Sequence, residues 1–169
     1  MIVSFSARTL HLSAGQLSLL VSGVVDDELV SNFLLSLAAN PPRLEAEVLA
    51  VKAVGAGAGV SYGHTFRTST PTMLALVAIG YGHGLPRKAG NRASVTWNGR
   101  RMPIVGRVAM DVLVVDAGDA SIAAGERVTF FGDPVAAEIP LAEWAESVGE
   151  NPFSVLTCLD HRVRRVAAP

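Results

Sequence analysis

The sequence predicts a mainly β fold: a small β-barrel or folded-over sheet with one or two short helices. Three observations predict it. About seven or eight short extended runs follow residue 42, separated by Gly-rich turns. Asn98-Gly99 lies between two of them, and both residues tolerate the positive φ of a tight hairpin. Helical periodicity is confined to two short stretches.

Residues 1–41 read as an N-terminal arm. Its first 25 residues alternate apolar patches with Ser and Gly without a clear period, which allows a strand or two at most. In "DDELVSNFLLSLAANPP", Asp26 or Asp27 caps a helix, and Leu29, Phe33, Leu34 and Leu37 share one face. Asn40 before Pro41 and Pro42 stops it. Residues 42–169 then form one β-domain.

"RLEAEVLAVKAV" alternates Leu44, Ala46 and Val48 with Glu45 and Glu47, then turns apolar on both faces, as in a strand entering the interior. "GAGAG" (55–59) is a turn and "VSYGHTF" looks extended, so these glycines do not open a helix over a phosphate. "MLALVAI" is an apolar strand, and "ASVTWNGRRMPIV" is the hairpin. "RVAMDVLVVDAG" and "ERVTFFG" continue the β pattern. "PLAEWAESVG" is a short helix with Leu141, Trp144, Ala145 and Val148 on one face and Gly149 at its C-terminal end. "SVLTCL" and "RVRRVAA" read as two last extended runs, the second a charged edge strand. Trp97 and Trp144 are expected to anchor the core.

The chain has 169 residues, 50% hydrophobic, enough for one core and too few for two comfortable ones. With 14 basic against 15 acidic residues it carries no electrostatic footprint for nucleic acid. No apolar run reaches the ~18 residues of a membrane span, and the N-terminus lacks a secretory signal pattern. The single cysteine, Cys158, forms no intramolecular disulfide and reads as a small core residue; a reducing, cytoplasmic location is expected. His64 and His83, the latter expected to be exposed between glycines, lack carboxylate or thiol partners at ligand spacing, so no metal is expected.

The only two tyrosines, Tyr62 and Tyr81, each open a Tyr-Gly-His triplet. In order, "GVSYGHTF", "IGYGHGLPR", "NGRRMPIVGRVAMDVLVVD", "AGERVTFFG", "LAEWAESVGENPF" and "HRVRRV" resemble the C-terminal β-domain of alanine racemase. The steps of 19 residues from Tyr62 to Tyr81 and 29 from Tyr81 to Met110 agree with that family. The resemblance implies a domain that closes over the pyridoxal-phosphate (PLP) barrel of a dimer mate, where L- and D-alanine interconvert. It implies that Tyr62 exchanges the α-proton and that the Met110 backbone N–H holds the substrate carboxylate. Tyr81, Arg87, Arg107 and Asp111 would line the access path.

Three departures accompany it. Neither lysine, Lys52 or Lys88, stands where the family's cofactor lysine lies, and the first forty residues are too few for a barrel of roughly 200 or more. Where the family reads Tyr-Ala-Asp-Gly, this chain has Tyr81-Gly82-His83-Gly84. The family's tyrosine that reaches the cofactor phosphate falls on Phe153, which cannot donate that bond.

The chain is therefore expected to hold no PLP and no racemase activity alone. It would complete the site of a PLP-barrel protein in trans, with a small amino acid as substrate. The alternative is a non-catalytic β-domain or interaction module that self-associates or exposes an apolar face.

Overall fold

The computed structural model describes residues 8–12 and 40–167. The helix expected over residues 26 to 39 lies outside them. Ten strands follow in order: β1 (Arg8–Leu12), β2 (Arg43–Val54), β3 (Gly59–Val60), β4 (Phe66–Arg67), β5 (Thr72–Val77), β6 (Ser94–Trp97), β7 (Arg100–Val105), β8 (Leu113–Gly118), β9 (Arg127–Phe131) and β10 (Arg164–Ala167). Helices α1 (Leu141–Ser147) and α2 (Pro152–Thr157) separate β9 from β10.

Strand β2 closes the barrel because it is long enough to serve two neighbours. Its first half pairs antiparallel with β9 (Leu44 opposite Phe131, Glu47 opposite Arg127) and its second with β5 (Val51 opposite Ala75, Val54 opposite Thr72). The ring β2-β5-β8-β7-β6-β9 is a six-stranded antiparallel barrel, and full closure leaves it no open edge. Strand β1 pairs with β2 and carries β10 in parallel at the sheet's outer edge, where the sequence places a charged strand. The β6–β7 hairpin turns at Asn98 (φ 49°) and Gly99 (φ 76°), with Trp97 opposite Arg100.

Alternation fills the interior. Leu44, Ala46 and Val48 of β2 are fully buried, with Val95, Met102 and Val115 from across the ring. Helix α1 plugs one end through Leu141, Trp144 and Ala145. The Trp144 ring meets Phe130 and Phe131 edge-on at 6.3 and 5.9 Å, and its Nε1–H donates to the Ser94 carbonyl at 3.1 Å. Trp97 is half-buried against the same core.

Several expectations are corrected. The second half of β2 does not enter the interior: its register shifts between Val48 and Ala50, and Leu49, Ala50, Lys52 and Ala53 are exposed. "SVLTCL" is helical, not extended. Asn151 caps α2 by accepting the Ser154 N–H at 2.8 Å, and Pro152 takes the first helical position. That helix buries Val155 and Leu156 and turns Cys158 outward, so the cysteine is exposed rather than a core residue. "VSYGHTF" is not one extended run, because a 3-10 turn over Tyr62–His64 interrupts it.

Candidate functional site: two tyrosine turns on one segment

The two Tyr-Gly-His triplets both form 3-10 turns, Tyr62–His64 and Tyr81–His83, but with different backbones: Gly63 and His64 have positive φ, whereas Gly82 and His83 do not. Both rest on the segment 106–111 between β7 and β8, and that common footing brings the expected site residues together.

The Tyr62 turn hangs between β3 and β4, and positive φ surrounds its tyrosine: Ser61 at 58°, Gly63 at 72°, His64 at 47°. Two of these are not glycine, so the conformation costs roughly 1–3 kcal/mol at each and must be held by its surroundings. Ser61 Oγ–H donates to the Arg107 carbonyl at 2.6 Å. Asn91 Nδ2–H donates to Thr65 Oγ1 at 3.2 Å, while Asn91 Oδ1 accepts the Gly106 N–H at 2.6 Å. Gly106 (φ 76°) has no room for a side chain, since a Cβ there would lie 2.8 Å from Ser61 Cβ. The Arg107 guanidinium lies against Gly63, 3.5 Å from where its Cβ would stand. The tyrosine this turn carries is 73% exposed, a turn residue and not a strand tyrosine with a buried ring.

The Tyr81 turn is stitched more closely. Tyr81 N–H donates to the Ala109 carbonyl at 3.0 Å and Gly82 N–H to the Met110 carbonyl at 2.8 Å. Gly80 has ordinary extended angles, yet a Cβ on it would collide with the Ala109 carbonyl oxygen and stand 2.5 Å from that of Met110. On the other side a Gly84 Cβ would collide with the Cys158 carbonyl oxygen after α2. The alternating glycines of "GYGHG" thus let the turn slide between two backbones. Arg87 caps the Tyr81 ring, its Cζ 5.2 Å from the centroid.

His83 is buried at 1% exposure, against the expectation from its glycine neighbours. Those glycines are themselves in close backbone contact and shield it. Its Nδ1 accepts the Gly80 N–H at 3.1 Å, and its Nε2 faces Asp111 Oδ1 at 3.7 Å. Arg162 enters from the far end of the chain, a residue assigned in sequence to edge-strand charge. It donates to Asp160 Oδ1 at 2.7 Å and to the Gly82 carbonyl, and its Nη1 lies 3.9 Å from Asp111 Oδ1. Only the fold brings it to Gly82, 80 residues away in sequence. Asp160 is held down at about 2, mainly because the Arg162 side chain hydrogen-bonds its carboxylate, with the Arg162 backbone N–H adding to this.

Met110 is 55% exposed, and its backbone N–H has no acceptor among the described residues while its carbonyl is engaged. Arg87, at the start of a further 3-10 turn (Arg87–Ala89), and Arg107 and Asp111, on segment 106–111, are all exposed. His64 and His83 lie in separate turns, and no metal-binding group of three His, Cys, Asp or Glu occurs among the described residues.

These residues do not fit PLP within this chain. Lys88 pairs with Glu150 at 2.8 Å on the surface. Lys52 stands on the outer face of β2 in a groove lined by Ala50, Val51, Val54, Leu74, Leu76 and Val114, with Gly59–Ser61 along one side. No guanidinium in that groove could receive a phosphate. Phe153 is half-buried against the core and carries no hydroxyl.

A closed six-stranded antiparallel barrel with Tyr62, Tyr81 and Met110 exposed outside its core is the class of β-domain the structure defines. Comparison with known proteins gives its family. The family model described as "Alanine racemase, C-terminal domain" matches residues 42–167. The alanine racemase of Thermobifida fusca is 42% identical over 123 residues, 73% of this chain and 33% of that protein. That of Salinispora tropica is 44% identical over 112 residues, 66% of this chain and 30% of that protein. Among solved structures, alanine racemase from a D-cycloserine-producing Streptomyces lavendulae superposes with a TM-score of 0.75 at 37% identity, covering 87% of this chain and 38% of that one. The Bartonella henselae alanine racemase with covalently bound pyridoxal phosphate gives 0.70 at 34% identity, covering 75% of this chain and 35% of that one. The chain belongs to the alanine racemase C-terminal domain family, and it spans about one third of the length of the curated relatives it matches.

Proposed function

We propose that this β-domain supplies one wall of an amino-acid racemisation site whose other wall is a PLP-bearing barrel of the same family. One observation carries the reading. Five large hydrophobic side chains are exposed among the described residues, and three of them are Met110, on segment 106–111, and Tyr62 and Tyr81, on the two turns that rest on it. Leu49 and Val135 stand elsewhere on the surface, whereas these three gather around one segment, the grouping that marks a surface for a partner or a ligand.

In this reading Tyr62 takes up or returns the α-proton of an alanine-class substrate at its phenolic oxygen. Strain in its turn fixes the ring's direction before the partner arrives. The Met110 N–H binds the substrate carboxylate. Tyr81, Arg87, Arg107 and Asp111 line the access path, where Arg87 and Arg107 attract the anionic end of the amino acid. Cofactor and cofactor lysine come from that barrel, so this β-domain is inactive without it.

A second reading has its own support in Phe153. An aromatic ring packed on the core without a hydroxyl fits a β-domain released from the phosphate contact, kept as a non-catalytic module.

The test incubates the chain, a PLP-bearing barrel polypeptide of this family, or both, with L-alanine in D₂O. Deuterium at the α-carbon, together with D-alanine, is expected from the mixture above the level of the barrel alone. Tyr62→Phe should lower that gain by roughly 10²–10⁴-fold. Exchange by the chain alone, or a mixture no better than the barrel, refutes the proposal; binding without exchange favours the non-catalytic module.

A further inference from the structure

We propose that His83, as a neutral imidazole protonated at Nε2, is a positioning residue that fixes the Tyr81 turn. Residues 80 and 83 are tied twice. The Gly80 N–H donates to His83 Nδ1 at 3.1 Å, and the His83 N–H donates to the Gly80 carbonyl at 3.0 Å. Tyr81 is the first residue inside this closed ring, so its place above the 109–110 backbone depends on the ring staying shut. The turn is also tied to the end of α2, where the Asp160 N–H donates to the His83 carbonyl at 3.0 Å.

The neighbours of the imidazole select one tautomer. A neutral ring has one N–H and one lone pair. Nδ1 faces a donor, so the lone pair belongs there and the proton on Nε2, which faces Asp111 Oδ1 at 3.7 Å. The opposite tautomer would set N–H against N–H on one side and a lone pair against a carboxylate on the other. Both contacts would be wrong at once. The Asp111 oxygen lies beyond hydrogen-bond reach of both Nε2 and the Arg162 guanidinium, which is 3.9 Å away, so its charge favours a proton on Nε2 without being fixed by it. An ordinary glycine-flanked turn lacks the clamp between residues 80 and 83, and a side chain without an acceptor at position 83 leaves the buried Gly80 N–H unpaired.

That Tyr81 and Asp111 serve an access path rests on the reading above. The test therefore reads the clamp in the full chain without any partner, so a silent racemase mixture does not bear on it. Long-range ¹H–¹⁵N correlation of the His83 ring at pH 7 should show Nε2 protonated and Nδ1 bare. Amide exchange at Gly80 should quicken tenfold or more in His83→Leu, the consequence of one lost buried hydrogen bond. His83→Asn, whose amide oxygen can take the same N–H, should restore protection to within about threefold of wild type. A proton on Nδ1, or an imidazolium at pH 7, overturns the proposal, as does wild-type Gly80 protection in His83→Leu. Loss in His83→Asn equal to that in His83→Leu overturns it too. If the leucine variant does not fold, the ring tautomer and the asparagine variant decide alone.

Discussion

Gly80→Ala isolates the close approach on which the Tyr81 turn depends. Gly80 sits at φ −150°, ψ −166°, where any residue is at ease, so the substitution carries almost no backbone penalty and its whole effect is steric. The new methyl would overlap the Ala109 carbonyl oxygen and lie 2.5 Å from that of Met110. Both neighbours are backbone, so relief requires the turn to lift off segment 106–111. Lifting breaks the Tyr81 N–H and Gly82 N–H bonds to Ala109 and Met110. Two hydrogen bonds at about 1 kcal/mol each, plus about 1–3 kcal/mol for forced overpacking, give a loss of roughly 3–5 kcal/mol. Gly55→Ala is the internal control, because a Cβ there meets nothing within 4 Å; its effect should stay within about 0.5 kcal/mol. Urea unfolding followed by circular dichroism measures both, and the melting temperature of Gly80→Ala should fall by roughly 6–20 °C. If the two variants unfold within 0.5 kcal/mol of each other, the packing account of "GYGHG" is wrong.

Other perturbations have equally definite outcomes. Trp144→Phe removes the donation to Ser94 and opens space between α1 and the barrel, and should cost about 2–3 kcal/mol in urea unfolding. Asn91→Ala cuts both the Thr65 and Gly106 bonds; amide exchange should rise across residues 61–66 while residues 80–84 stay protected. Asp160 is held at about 2 in the folded chain against an unfolded value near 3.8. A depressed folded value means its contribution is complete above about pH 4 and is lost as pH falls toward 2. Thermal melts of Asp160→Asn should therefore show a shallower acid decline than wild type over that window, and 1 M salt should narrow the difference because the group is exposed.

The barrel was legible because its signals are local. Alternation at Leu44, Ala46 and Val48, the Asn98-Gly99 turn and the period of Leu141, Trp144 and Ala145 each act within a few residues. Where two signals competed, the weaker one misled. "SVLTCL" has strand-like composition, but Asn151-Pro152 just before it is a helix start, and capping decided the outcome. The apolar second half of β2 was read as interior because composition does not say which stretch of a long strand lies inside the ring. His83 went wrong for a related reason: flanking glycines were taken as a mark of exposure, whereas Gly80 and Gly84 are bare to let other backbones press against the turn and bury it. Arg162 had no sequence signal toward the site, since its contacts with Gly82 and Asp111 exist only after α2 turns the chain back.

The two Tyr-Gly-His turns differ both in backbone conformation and in how they are held, and the second difference bears on the proposed function. The Tyr62 turn is attached by side chains at its feet, through Ser61 and Asn91, and it contains two non-glycine residues at positive φ. The Tyr81 turn is attached by its own backbone and closed by a buried imidazole. Side-chain tethers near the surface yield at lower free energy than backbone bonds inside a packed stack, so the Tyr62 turn is the more adjustable of the two. In the proposed site the entrance at Tyr81 is the more rigid part, and the Tyr62 turn, whose strain already sets the direction of its ring, makes only small adjustments on docking. The shared segment 106–111 limits that freedom, because Arg107 touches the first turn and Ala109 and Met110 the second. Movement of Tyr62 large enough to drag Arg107 along would also disturb the Met110 N–H proposed to bind the carboxylate, so only small adjustments of the tyrosine preserve the proposed site.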